Sequence, residues 1–416
     1  MPETLSVFEH EKLRIGERGF KRAHFDRLLL WNEANGFKYF DAGHNAIKFA
    51  QYVGVIQVGD LVIQVLPKAD RDADAGKWQN ALIEMLRVVY DLPLSSTTET
   101  HLRIRNASIL DLFFDLYVKD VSGLVRRGLV KQYHQQTSNQ IALKGRIHWP
   151  THLRENLIRK ERFHVTHQVY DPDHLLHALL KEALCIVDRS ARDPFIRGGA
   201  QDLDWAFAHV QDQALNTSTL ERLRLGRKTQ PYARAVQLAK MIVSAHAPDI
   251  SGGRMPLIGL MFDMNQLFER VVLRLLKRAA AATATELSIQ GQDKRLFWQN
   301  QKIKPDIVIR LGEQVVLIID TKWKVPKDNK PADADLKQMY AYNLQFGSVR
   351  SVLLYPGDPM EDTDHIDYEL GDGTLEPHGC AVRFADLFEA DGKLHKTWGG
   401  DILGQLNKGS ASFQLT

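Results

Sequence analysis

The sequence predicts a multidomain chain of the α+β and α/β classes. A β-rich N-terminal domain spans residues 1–75, a mainly helical domain spans 76–250, and a mixed sheet flanked by helices spans 251–416. Three observations predict this order: an early strand-turn-strand pattern, a long stretch with apolar residues at three-to-four spacing, and alternating helices and strands in the last third. The 416 residues also exceed the usual size of one domain.

The N-terminal domain is predicted from residues 52–68, YVGVIQVGDLVIQVLPK. Two segments rich in β-branched residues meet at Gly59-Asp60, and glycine supplies the positive φ that a tight turn needs. Pro67 ends the second segment, because proline cannot donate a ladder hydrogen bond. This pattern indicates a β-hairpin.

The middle domain is predicted to be helical because apolar residues recur every three to four positions. The helical segments are 81–92, 108–130, 174–191 and 222–243. Residues 132–148 are polar and turn-rich, and we interpret them as an extended excursion from the helices.

The last third alternates between the two periodicities. Its predicted elements are a helix over 262–282, strands over 296–300, 305–311 and 315–324, a helix over 333–346 and a strand over 349–356. Helix, three strands, helix and strand is an α/β order that gives a mixed sheet.

Composition narrows the function classes only a little. Lysine and arginine number 54 against 51 acidic residues, a net charge of +3 that neither requires nor excludes a nucleic-acid partner. Cys185 and Cys380 lie far apart, so neither a disulfide framework nor a zinc motif is expected. The charged N-terminal stretch has no apolar leader core and no apolar run reaches 18 residues, so we expect a cytoplasmic protein without a membrane segment.

Residues 305–324, PDIVIRLGEQVVLIIDTKWK, place three charged side chains close together. If a three-residue loop over 312–314 joins the two strands, Leu311 pairs with Val315 and Asp306 lies opposite Asp320. Lys322, two residues after Asp320, then points to the same face. A two-residue loop would break this convergence.

Two opposed carboxylates repel each other unless a cation lies between them, and Mg²⁺ suits such oxygen ligands, with Mn²⁺ as a substitute. We expect Asp306 and Asp320 to bind the metal and Lys322 to orient the attacking water or stabilise the transition state. Apolar surroundings and the metal would lower the pKa of Lys322. Glu269, on the preceding helix, either completes the metal shell or is a solvated glutamate.

Pro305-Asp306 followed by Asp320-Thr321-Lys322 resembles the motif of PD-(D/E)xK nucleases. Gln338 and Tyr342, at Q-x-x-x-Y spacing on the next predicted helix, resemble the additional motif of the RecB-like branch. The resemblance implies a catalytic role for these residues beside Asp306, Asp320 and Lys322. The alternative for Gln338 and Tyr342 is packing in the core.

The segments 54–68, 143–163 and 171–184 resemble the McrC family, the nuclease subunits of modified-cytosine-dependent McrBC restriction systems. This resemblance implies a Mg²⁺-dependent DNA endonuclease subunit of a type IV, anti-phage complex. Its partners would be DNA, an McrB-like hexameric AAA+ GTPase that it stimulates, and a second nuclease copy for double-strand cleavage. The sequence has no G-x-x-x-x-G-K-[ST] motif, which agrees with nucleotide binding by a partner.

The excursion over 132–148 is our candidate for binding the partner ring. Arg126, Arg127, Lys144 and Arg146 lie in or beside it, and an arginine offered to a bound nucleotide would stabilise developing charge. The alternative is a solvated helix end.

Two other functions stay open at this point. The first alternative to the restriction subunit is a stand-alone RecB-like nuclease in repair or defence. The second is a non-cleaving adaptor of an AAA+ motor. The presence of all three of Asp306, Asp320 and Lys322 argues against the adaptor.

Overall fold

The computed structural model describes residues 3–68, 74–92, 108–247, 256–282, 286–324, 326, 330–357 and 362–408. The chain forms two compact units, which we call unit 1 (residues 1–101 and 261–416) and unit 2 (residues 102–260). This differs from the predicted three-domain division, because the N-terminal and C-terminal segments share one unit.

The N-terminal part of unit 1 contains the predicted hairpin. Its elements are β1 (Glu3–Phe8), β2 (Lys12–Arg14), α1 (Arg22–Ala34), β3 (Phe40–Gly43), β4 (Ala46–Phe49), β5 (Tyr52–Val58), β6 (Leu61–Leu66) and α2 (Ala75–Tyr90). The hairpin is confirmed: β5 pairs antiparallel with β6, Val58 lies opposite Leu61, and Gly59 has a φ of +58°. β1 pairs with the other edge of β6 in parallel, so β6 is an inner strand, and every one of its residues is buried.

Unit 2 is mainly helical, as predicted. Its elements are α3 (Ile109–Arg127), β7 (Gln132–Gln140), β8 (Arg146–Ile147), α4 (Trp149–Asn156), β9 (Phe163–Asp171), α5 (Leu175–Ser190), α6 (Pro194–Asp204), α7 (Thr217–Arg222), α8 (Ala233–Ala245) and β10 (His246–Ala247). The excursion is extended and forms a small sheet in the order β7-β9-β8. The helix predicted over 222–243 begins only at Ala233, because Pro231 in the preceding 3₁₀ turn cannot continue an α-helical hydrogen-bond pattern.

The C-terminal part of unit 1 follows strand β11 (Leu257–Asp263), in which the boundary between the units falls. The remaining elements are α9 (Met264–Ala282), β12 (Leu287–Gly291), β13 (Arg295–Trp298), β14 (Gln301–Ile303), β15 (Ile307–Leu311), β16 (Gln314–Thr321), α10 (Asp333–Phe346), β17 (Arg350–Pro356), β18 (Ile366–Glu369), β19 (Leu375–Ala385) and α11 (Trp398–Lys408).

A six-stranded mixed sheet organises this part, in the order β12-β15-β16-β17-β19-β18. β16, β17 and β19 are parallel to one another, and the other neighbours pair antiparallel. The mixed character was predicted, but the strand predicted over 296–300 is not in this sheet. It forms a separate hairpin, β13–β14.

Helix α10 packs on one face of this sheet. Met339, Tyr342 and Phe346 of the helix join Ile318 and Leu353 of the strands in one buried cluster. These helix residues recur at three-to-four spacing, so burial of one stripe fixes the rotation of α10 about its axis. That rotation decides where the polar residues of the helix point.

Two smaller expectations can be compared with the structure. Cys185 and Cys380 are both free thiols. No helix in the described part of the chain combines the length and the apolar character needed to cross a membrane.

His177 is a fully buried histidine in the first turn of α5. Its Nδ1–H donates to the carbonyl of Pro172 at 2.7 Å, and its ring stacks on His174 with centroids 4.1 Å apart. Burial, and then the neighbouring His174, lower the pKa of His177 to about 4. The folded protein therefore holds this imidazole neutral.

The burial of the neutral His177 ring predicts that the folded protein loses stability as the pH falls. The unfolded chain takes up the proton near a pKa of 6.5, so the stabilising contribution is present at higher pH and is lost as pH falls toward 4. Between pH 8 and pH 5 the loss from His177 is about 2 kcal/mol. Thermal melts at several pH values measure this loss. They compare the wild type with His177→Asn, whose side-chain amide retains a hydrogen-bond donor for the carbonyl of Pro172. The melting temperatures of the two proteins should approach each other as the pH is lowered. A constant difference in melting temperature at every pH would contradict the prediction.

Candidate active site

The hairpin β15–β16 brings the predicted site together by a route that the sequence did not reveal. The loop has two residues rather than the predicted three, because Leu311 pairs with Gln314 across Gly312-Glu313. Gly312 has a φ of +58°, which two-residue hairpin turns favour at their first position. The predicted loop is therefore wrong.

A β-bulge restores the register that the short loop would otherwise shift. Arg310 pairs with Val315 and Ile309 with Leu317, so Val316 is an extra residue on β16. Beyond the bulge the pairing reaches Ile307 opposite Ile319. Asp306 and Asp320 lie one position further along, and they converge as the sequence predicted.

Asp306 is held at the end of β15 by the other strand. Its Oδ2 accepts hydrogen bonds from the backbone N and the Oγ1 of Thr321, both at 2.8 Å. Thr321, the middle residue of the Asp-Thr-Lys triplet, is buried. The triplet therefore positions the first carboxylate as well as supplying the second.

Asp320 is only 2% exposed and forms an ion pair with Lys322, whose Nζ lies 2.6 Å from its Oδ2. Burial, and then the charge of Asp306, raise the pKa of the Asp320 carboxyl. Lys322 offsets this effect only in part. The site thus contains a buried carboxylate that faces a second carboxylate and has one cationic neighbour.

Lys322 follows β16, and its backbone N donates to the carbonyl of Leu354 at 2.9 Å, which continues the pairing with β17. Burial alone lowers the pKa of Lys322, but the carboxylates of Asp320 and Asp335 outweigh burial and raise the pKa above its ordinary value. Burial thus acts in the predicted direction, and the lowering expected with a bound metal stays a prediction.

Gln338 and Tyr342 of α10 extend this network. Lys322 Nζ donates to Gln338 Oε1 at 3.1 Å, and Gln338 Nε2 donates to Tyr342 Oη at 2.6 Å. Tyr342 Oη donates in turn to the carbonyl of Lys304 at 3.1 Å. Burial raises the pKa of Tyr342 to about 12, so the phenol keeps the proton that it donates. Tyr342 thus packs in the core with its ring and orients Gln338 with its hydroxyl.

Glu269 of α9 lies beside Asp306, connected to it by Gln292. The Nε2 of Gln292 donates to Glu269 Oε1 at 2.8 Å, and its backbone N donates to the carbonyl of Asp306 at 2.8 Å. Glu269 is 8% exposed. Burial, and then Asp306, raise its pKa. The solvated alternative for this glutamate is therefore wrong.

Asp335 is a further buried carboxylate beside the site, which the sequence did not predict. Its Oδ2 accepts from Lys324 Nζ at 2.6 Å and from Tyr355 Oη at 3.2 Å, and its Oδ1 lies 3.9 Å from Lys322 Nζ. It stands three residues before Gln338 on α10, and residues three apart share a helix face. That spacing was a usable signal.

Trp323, directly after Lys322, anchors this segment. Its Nε1 donates to the buried carboxylate of Glu9 at 2.7 Å. Its ring packs against Trp78 and Phe268, with centroids 6.2 and 5.2 Å away. Because Phe268 precedes Glu269, this contact links the segment that carries Lys322 to the helix that carries Glu269.

The carboxylates fit a hard divalent cation. Asp306, Asp320 and Glu269 offer only oxygen ligands, and Mg²⁺ is usually held by one or two carboxylates together with waters and phosphate oxygens. Within the described residues, no three His, Cys, Asp or Glu side chains already surround a single point at ligand distance. The set therefore fits an ion held by two carboxylates better than a closed protein cage.

The four basic residues proposed for partner contact do not join this network. Arg126 and Arg127 are exposed in the last turn of α3, whereas Lys144 and Arg146 are exposed beyond the far end of β7. None of the four has an ion pair with another residue that the structure describes. Their role stays a prediction.

Comparison with known proteins decides the family. Residues 47–356 match the family described as McrBC 5-methylcytosine restriction system component, and this range is well over half of the chain. The chain belongs to this family. The McrC resemblance seen in the three sequence segments is thereby confirmed.

Two relatives illustrate the membership. The type IV methyl-directed restriction enzyme EcoKMcrBC of Escherichia coli is 23% identical over 227 residues, 52% of this chain and 64% of the relative. The match thus spans just under two thirds of that relative's length. McrC bound to McrB AAA+ hexamers of Thermococcus gammatolerans aligns over 97% of this chain and 99% of the other, with a TM-score of 0.69 and 20% identity. At this identity the likeness shows a shared fold.

Proposed function

We propose that this McrBC family member is the Mg²⁺-dependent DNA endonuclease subunit of a modification-dependent restriction complex. The observation that carries the proposal is the convergence of Asp306, Asp320 and Lys322 at the adjoining ends of β15 and β16. A structural role alone gives no reason for two carboxylates to face each other at a site where burial makes charge costly.

The residues divide the chemistry between them. Asp306 and Asp320, with Glu269 beside them, would hold Mg²⁺. As a Lewis acid, this ion would lower the pKa of a bound water and offset the negative charge of the phosphorane. Lys322 contributes an ammonium group, which Asp320 and Gln338 hold in position. This group stabilises negative charge on the scissile phosphate. In hydrolysis, water oxygen bonds to phosphorus, the bond from phosphorus to the leaving sugar oxygen breaks, and that oxygen takes a proton.

A partner motor is part of the same proposal. The related McrC chain is bound to McrB AAA+ hexamers, and this sequence contains no nucleotide-binding P-loop of its own. We infer that a GTP-hydrolysing AAA+ ring recognises the modified DNA and that this chain cuts it. Cleavage of both strands would take two copies, since the part of the chain that the structure describes carries one such site.

Removal of divalent metal should abolish cleavage. The chain and its AAA+ partner, with GTP and methylated plasmid, should cut in Mg²⁺ or Mn²⁺ and lose roughly 10³-fold or more of the rate in EDTA. Gel analysis of plasmid linearisation measures this, and unmethylated plasmid is the matched control substrate. Undiminished cutting in EDTA would show that the carboxylate site is not the source of the activity.

A further inference from the structure

The β13–β14 hairpin, residues 294–304, carries three adjacent large apolar side chains that no other part of the described chain covers. Leu296 is 65% exposed, Phe297 50% and Trp298 61%. Single exposed apolar residues are normal on a protein surface, but here three consecutive exposed side chains surround a β-bulge at Phe297 in a two-stranded hairpin. Such a feature indicates a binding surface.

The base of the hairpin is rigidly attached to unit 1. Arg295 donates to the carbonyl of Gln345 at 2.8 Å, and its guanidinium lies 4.1 Å from the ring centre of Phe346. Ile303 packs against the core cluster below α10. The hairpin therefore presents its tip, around the Gln299-Asn300 turn, from a fixed base.

All the charged side chains of the hairpin are basic. The eleven residues KRLFWQNQKIK contain four cationic side chains and no acidic one. Lys294, Lys302 and Lys304 are exposed. Asp293, the acidic residue just before the hairpin, is paired with Arg310. Exposed aromatic rings among cations match nucleic acid, whose phosphates are anionic and whose bases have flat faces.

The hairpin leads directly into the candidate active site. Lys304 lies two residues before Asp306, and its carbonyl accepts the hydrogen bond from Tyr342 that also orients Gln338. A polymer whose phosphate reached Asp306 and Lys322 would therefore lie close to the base of this hairpin.

We infer that the β13–β14 hairpin is a DNA-contacting element beside the scissile phosphate. Lys294, Lys302 and Lys304 contact the phosphate backbone, while Phe297 and Trp298 insert between partly unstacked base pairs, a contact that needs no particular sequence. The inference rests on the proposed nuclease function, because it takes DNA to be the polymer at the site.

Binding of a short fluorescent DNA duplex by the full chain tests the inference, with Asp320→Asn in the background of every variant to prevent cutting. Phe297→Ala with Trp298→Ala should weaken binding roughly 10- to 100-fold. Lys302→Ala should reduce the slope of log affinity against log salt by about one. Phe37→Ala, which removes another exposed aromatic side chain of unit 1, should leave both the affinity and the salt dependence unchanged.

Three outcomes separate the possibilities. Wild-type affinity in the hairpin variants, with unaltered cutting when Asp320 is retained, would overturn the inference and leave the nuclease proposal intact. Weakened binding in a chain that does not cut with its partner and Mg²⁺ would support the hairpin and overturn the nuclease proposal. A wild-type dimer that becomes monomeric in the hairpin variants, with unaltered DNA affinity, would make the hairpin a contact between copies and overturn the inference.

Discussion

Asp320→Asn is expected to lower DNA cleavage by roughly 10³-fold or more while leaving the chain folded and bound to its partner. Asparagine has nearly the same shape as aspartate but lacks the charge that would hold a divalent cation. The carboxylate is almost completely buried next to Lys322, so no neighbouring water-exposed group can take its place. The rate of plasmid cleavage under single-turnover conditions measures the effect.

The same substitution should not destabilise the metal-free protein. Burial and the charge of Asp306 both disfavour the ionised carboxyl of Asp320, so a neutral side chain removes a repulsion as well as an ion pair. In EDTA at neutral pH, we expect a melting temperature equal to or above that of the wild type. Loss of activity without loss of stability separates a catalytic side chain from a structural one.

A matched control is available on the same unit. Asp41 is exposed on β3, and Asp41→Asn removes one negative charge without touching the site. This variant should cut DNA at the wild-type rate. Normal cleavage by Asp320→Asn, or an equal loss in both variants, would remove Asp320 from the catalytic machinery.

The site could be predicted because its residues lie on two consecutive strands. Register along a hairpin follows from the alternation of faces, so Asp306, Asp320 and Lys322 were placed on one face from spacing alone. The bulge at Val316 could not be foreseen. It depends on how the turn at Gly312 twists the two strands, and the apolar run through β16 looks the same with or without the extra residue.

Residues brought in by tertiary packing were harder to predict. Gln292 connects Glu269 to Asp306, but it follows the short strand β12, and local sequence does not show that β12 pairs with β15. The division into units was missed for a similar reason. The hydrogen bond from Trp323 to Glu9 joins segments more than 300 positions apart, and local periodicity contains no information about such a pair.

Lys322→Met is expected to reduce both cleavage and stability, in contrast to Asp320→Asn. Cleavage should fall by roughly 10²- to 10³-fold, because the cation that stabilises the phosphate is gone. The free energy of unfolding should fall by about 3 kcal/mol, because Asp320 is left buried beside Asp306 without its ion-pair partner. Lys324, engaged with Asp335 at 2.6 Å, is not in place to substitute for it.

The double variant distinguishes charge imbalance from damage to the fold. Asp320→Asn with Lys322→Met removes both charges of the pair, so most of the lost stability should return while cleavage stays absent. Lys322→Arg, which keeps the charge but replaces a compact ammonium with a planar fork, should retain stability and still lose activity. Denaturant unfolding in EDTA, combined with single-turnover cleavage, measures all four proteins. If the double variant is as unstable as Lys322→Met alone, the two side chains are not coupled, and the ion pair at 2.6 Å does not hold the site together.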